Sequence, residues 1–101
     1  MRTITIRRAA APEVHVAVSD VDFEYLSHFR WQLRTSRVGT LFASCMFRED
    51  REIITVVMSR VILQRKLGRP LQSNEFTGYV NDPVDGVLNY SRENLQVISR
   101  Q

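Results

Sequence analysis

Cysteine is almost absent: Cys45 is the only one in 101 residues, so a single chain can form neither an internal disulfide nor a cysteine-based metal cluster. That scarcity fits a reducing compartment. Long apolar runs are missing as well, since no stretch approaches the roughly 20 residues that a membrane-spanning helix needs. The opening Met1–Ala11 alternates charge with apolar residues and presents no hydrophobic signal core. Together these absences predict a soluble, cytoplasmic chain with no membrane partner. Lysine is scarce too: Lys66 is the only one among 14 basic residues, and histidine is confined to His15 and His28.

What is there suffices for one hydrophobic core. With 44% hydrophobic residues and no internal repeat or long linker, residues 1–101 read as one domain. The net charge of +3 is carried almost entirely by arginine. Its planar fork suits bidentate contact with phosphate and guanine and stacks on aromatic rings. A GC-rich genome would raise arginine in the same way, so charge permits nucleic acid as a partner without proving it.

Thr3-Ile4-Thr5-Ile6 and Val14-His15-Val16-Ala17-Val18 both alternate, which predicts a loose hairpin of two short strands. Ser19-Asp20-Val21-Asp22 supplies N-cap candidates and an acidic first turn, and Phe23, Leu26 and Phe29 follow near helical spacing. A short helix is expected over about Asp20–His28. From Arg30 the period becomes two, with Trp31 and Leu33 on one side and Arg30, Gln32 and Arg34 on the other. A turn at Arg37-Val38-Gly39 leads to Leu41–Phe47, and Glu49-Asp50-Arg51 leads to Glu52–Val56; three such runs predict an antiparallel meander. Val57, Val61 and Ile62 predict a helix over Val57–Leu67, stopped by Gly68-Arg69-Pro70. A strand at Phe76–Asn81, a loop with Asp82-Pro83-Val84-Asp85-Gly86, and a short helix from near Ser91 complete an α+β chain.

Three blocks, in order, resemble the HNH homing endonucleases of phages and group I introns. The first is Val18–Trp31, an acidic helix that leads into a tryptophan ahead of a small sheet. The second is Met58-Ser59-Arg60-Val61-Ile62-Leu63, where the family usually reads Met-His-Arg before aliphatic residues. The third runs from Gly78-Tyr79-Val80-Asn81 to Leu88-Asn89-Tyr90-Ser91-Arg92-Glu93-Asn94-Leu95-Gln96-Val97, where the family usually reads Asp-His-Ile-Asn, then Leu-Asp-Asn-Arg, then Asn-Leu-Arg. The resemblance implies a degenerate HNH-like unit over 57–101, of ββα type, behind an N-terminal part over 1–56. It also implies a phage or mobile-element ancestry.

In that family a divalent metal sits beside the scissile phosphate, and a histidine deprotonates the attacking water. Such chemistry needs a base poised near neutral pH and a Lewis acid for the leaving oxygen. Carried over by resemblance, the metal aspartate falls on Gly78 and the base on Tyr79, a poor base at neutral pH because a phenol titrates near about 10. The metal asparagine falls on Asn94, the Met-His-Arg histidine on Ser59, and the central asparagine on Tyr90 or Asn89. No catalytic residue and no cofactor are therefore expected. The alternative is Mg2+ or Mn2+ at Asn94 with Asp82 or Asp85, in a nicking enzyme with a rearranged site, although Asp-Pro and Asp-Gly are also ordinary turn chemistry.

A fold that outlives its chemistry keeps binding as its remaining use, an expectation by analogy. The meander offers Arg30, Gln32 and Arg34 on one face with Arg37 and Arg48 at its ends, and its layout is similar to plant ethylene-response-factor DNA-binding domains. Arginines on such a sheet reach phosphates or guanine edges in the major groove; the alternative is an ordinary solvated face. Arg60, Arg65, Lys66 and Arg69 form a second basic cluster, which suits either a phosphate backbone or simple helix-dipole complementarity. Trp31, on the opposite side, is expected in the core. Phe42 and Met46 fall on the arginine side, where exposure would suit a homodimer or a host protein partner. Duplex DNA is the leading expected partner.

Overall fold

A computed structural model describes residues 1–8, 11–81 and 87–99. β1 (Arg2–Arg8) and β2 (Ala11–Val18) form the antiparallel hairpin that their alternation predicts, and Ile4, Ile6, Val14, Val16 and Val18 turn inward. α1 (Asp20–Leu26) follows, and the chain leaves it through Ser27 and His28, two residues before the predicted end. The Ser19 hydroxyl does not cap this helix. It instead accepts the backbone N–H of Arg92 at 2.9 Å, which ties the start of α1 to the far end of the sequence.

β3 (Gln32–Thr35), β4 (Leu41–Glu49) and β5 (Glu52–Val57) form the antiparallel meander. A two-residue turn, Asp50-Arg51, joins β4 to β5 with both residues at positive φ, 47° and 71°. That geometry matches the right-handed twist of the flanking strands. α2 (Met58–Leu67) continues directly from β5 and buries Met58, Ser59, Ile62 and Leu63. Its end is the expected one: Gly68 adopts the left-handed conformation, and its N–H closes on the Gln64 carbonyl.

The α+β class holds, but the C-terminal part is not a ββα unit. β6 (Glu75–Tyr79) pairs antiparallel with β8 (Leu95–Ser99), and the expected helix near Ser91 is one 3₁₀ turn, Arg92–Asn94, leading into that strand. The physical reason is the period: Leu95 is buried, Gln96 exposed, Val97 half-buried and Ile98 exposed, an alternation that a helix cannot satisfy. Between them β7 (Val87–Asn89) runs parallel to β2 and extends the N-terminal hairpin to three strands. The parts 1–56 and 57–101 therefore share one core, in which Ile6, Val16, Leu26 and Ala43 meet Met58, Ile62, Leu88, Tyr90 and Leu95. Tyr90 is fully buried and stacks on Tyr79 at 6.0 Å, and its hydroxyl accepts the N–H of Ala43 at 3.4 Å, just beyond the last β4–β5 pair.

Candidate nucleic-acid interface

Residues directly opposite in an antiparallel pair share a face. The register Gln32↔Ser44↔Val57, Arg34↔Phe42, Met46↔Thr55 and Arg48↔Ile53 therefore gathers Gln32, Arg34, Met46, Arg48, Ile53 and Thr55 on one exposed face. The other face carries Leu33, Ala43 and Cys45 into the core. Trp31 sits on that core side as expected, half-buried, and its indole N–H donates to the Leu26 carbonyl at 2.8 Å. Phe42 is half-buried and Met46 exposed, as their side of the sheet implies, and Arg34 Nη2 donates to Met46 Sδ at 3.2 Å. Arg30 lies just before β3 and is exposed, whereas Arg37 lies in the turn between β3 and β4. Ser44 is buried on the arginine face, and its hydroxyl has no hydrogen-bond partner among the described residues.

The second basic cluster is engaged inside the molecule. Asp22 is completely buried, with Arg65 Nε donating to Oδ1 at 2.9 Å, Arg92 Nε to Oδ2 at 2.9 Å and Arg92 Nη2 to Oδ1 at 2.7 Å. Burial alone would push this carboxyl up, but the hydrogen bonds from Arg92 and Arg65, and their charges, hold it below its ordinary range. Arg65 also stacks over the Tyr25 ring at 4.3 Å. Lys66 Nζ donates to the carbonyls of Arg92 and Leu95, and Arg69 grips both carboxylate oxygens of Glu75. Of this cluster Arg60 alone stands exposed with neither an ion pair nor a side-chain hydrogen bond among the described residues. Sequence reasoning missed the Asp22 triad because its members lie 43 and 70 positions apart.

Asn94 is a clamp. Its Oδ1 accepts the N–H of Asn81 at 2.8 Å, and its Nδ2 donates to the carbonyls of Asn81 at 3.1 Å and Asn89 at 2.9 Å. Asn94 is thus brought to Asn81 and Asn89 and not to the expected pair. Gly78 faces Gln96 across the β6–β8 ladder under the Ile98 side chain, and Tyr79 stacks on Tyr90. Ser59 is buried on α2. Beside Asn94 a shallow cavity of about 140 Å³ is lined by Met1, Asn81, Asn89, Ser91 and Glu93, which offer amides, a hydroxyl and one carboxylate. Asp82 and Asp85 lie outside the described residues. His15 is held on the outer face of the hairpin, 3.1 Å from the Thr5 hydroxyl, and His28 follows α1. Among the described residues no three His, Cys, Asp or Glu side chains converge as a metal site, and no helix is long and apolar enough to cross a membrane. Comparisons with protein-family profiles, with curated proteins and with solved structures find no match to this chain.

Proposed function

We propose that the chain is a nucleic-acid-binding module of HNH-nuclease ancestry that holds duplex DNA on the β3–β5 sheet and does not cut it. The observation that carries this reading is how the arginines divide. Arg65, Arg69 and Arg92 neutralise carboxylates within the fold, whereas Arg30, Arg34, Arg37 and Arg48 form no ion pair among the described residues and stand exposed on or beside one sheet. An unpaired exposed guanidinium keeps its full field for phosphate. The residues around Asn94 support binding without cleavage, because its amide already holds two neighbouring segments of backbone and the described neighbours include no imidazole.

Fluorescence anisotropy with a labelled duplex tests this. Affinity should fall steeply as salt rises, and Arg34→Ala with Arg48→Ala should weaken binding while lowering the log–log salt slope by about 1 for each phosphate no longer neutralised. Arg69→Ala should leave affinity nearly unchanged. No binding at low salt, or wild-type affinity in the double variant, overturns the reading. So does nicking of supercoiled DNA by pure protein with Mg2+ or Mn2+.

A further inference from the structure

We infer that the cavity at the free end of β4 receives an unpaired nucleobase from a strand held on the arginine face. The inference rests on the nucleic-acid reading above and adds a site to it. The cavity arises from a mismatch in strand length: β3 has four residues and pairs only with Leu41–Ser44, whereas β4 runs nine residues to Glu49. Cys45–Glu49 therefore have β5 on one side and, among the described residues, no strand on the other, and the chain leaving α1 lies along that side instead. The gap is a cavity of about 370 Å³ lined by His28, Phe29, Arg30, Cys45, Met46 and Phe47. That size lies within the roughly 300–1,000 Å³ of small-molecule sites.

Its walls are aromatic and its rim is cationic. Phe29 is braced by Tyr25 at 5.4 Å and Trp31 at 5.7 Å, so one ring is fixed in place, while Phe47 is 40% exposed and its ring is open to a ligand. Arg30 lines the cavity, and Arg34 reaches it from the arginine face by its contact with Met46 on the wall, while Phe47 opens on the other side of the β4 edge. No carboxylate lines the cavity among the described residues. Aromatic faces take any base by stacking while neighbouring guanidinium groups take its phosphates. A second copy of this chain is the poorer occupant, because it would set Arg30 and Arg34 against the same two cations. An unpaired base in a strand already lying on those arginines needs no further charge.

Anisotropy at low salt decides it, with a fully paired duplex compared with the same duplex carrying one extra, unpaired nucleotide. The unpaired base should raise affinity on the order of tenfold, as one base–aromatic stack would. Phe47→Ala should remove that preference while leaving affinity for the paired duplex, and Phe47→Tyr should keep it. Phe47 is substantially exposed, and Trp31 fluorescence checks that each variant is folded. Equal affinity for the two duplexes overturns this site and leaves the proposed function standing; failure of either to bind overturns both. A homodimer in light scattering that Phe47→Ala dissolves assigns the cavity to a second copy and also overturns the inference.

Discussion

A carboxylate with no exposed surface needs its charge answered, and two arginines from different parts of the chain answer that of Asp22. Removing the carboxylate takes away three charge-assisted hydrogen bonds but leaves two arginines that are partly exposed to water, so Asp22→Ala should cost about 1.5–3 kcal/mol in chemical denaturation. The pH dependence has a definite sign. The Asp22 carboxyl is held below its ordinary value of 3.8 in the folded state, so its contribution is complete above that value and fades as pH falls below it. Glu75, held at about 2 by Arg69 and by the Gln72 N–H, behaves in the same way. Asp22→Asn should therefore lower stability at pH 7 and lessen its fall between pH 4 and pH 2, read from urea midpoints. Asn94 separates a clamp from a metal ligand. A carboxylate is the better ligand but cannot donate to the Asn81 and Asn89 carbonyls, so Asn94→Asp should destabilise much as Asn94→Ala does, by about 1–3 kcal/mol. A gain of stability or of Mg2+ binding in Asn94→Asp would reject the clamp.

At the scale of elements, what is periodic and local was readable. The N-terminal hairpin, the meander and α2 with its Gly68 stop emerge within two or three residues of expectation, the largest difference being β2, which begins at Ala11 instead of Val14, because alternation, turn residues and helix spacing act over fewer than a dozen positions. β8 escaped because the motif around Asn94 resembles a helix entry, although Gln96, Val97 and Ile98 alternate as a strand does. β7 escaped because a three-residue strand has no period to read, and its partner β2 lies some seventy positions away. The exposed arginines of the sheet were legible; the engagement of Arg65 and Lys66 was not, since nothing local announces Asp22 or the Arg92 and Leu95 carbonyls as their partners. One turn carries a prediction of its own. Arg51 holds φ at 71°, where a side chain costs about 1–2 kcal/mol that glycine would avoid. Arg51→Gly should raise the thermal midpoint, and if the turn borders the DNA-binding face it should also weaken duplex binding. A lower midpoint would mean that the Arg51 side chain stabilises the turn.

Across the whole molecule, the two halves of the sequence are joined by interactions that neither half makes alone. β7 completes the hairpin's sheet, the Arg92 side chain meets Asp22, the Arg92 N–H meets Ser19, and the Tyr90 N–H meets the Ala17 carbonyl at 2.8 Å. The Tyr90 hydroxyl reaches Ala43 on the meander. Burial pushes that phenol well above its ordinary value, with Tyr79 adding to the shift, so it stays protonated throughout the range in which the fold is tested. Because Leu26, Ala43, Ile62, Leu88 and Leu95 belong to one buried cluster, unfolding either half exposes the apolar surface of the other. Small domains built this way unfold in one step. Trp31, beside α1 in the N-terminal half, and far-UV circular dichroism, which averages over every strand, should therefore report the same urea midpoint. Leu88→Ala should move both signals together by about 2–5 kcal/mol, although Leu88 lies in the other half from Trp31. A Trp31 transition left in place while the circular dichroism shifts would divide the chain into two units that fold separately.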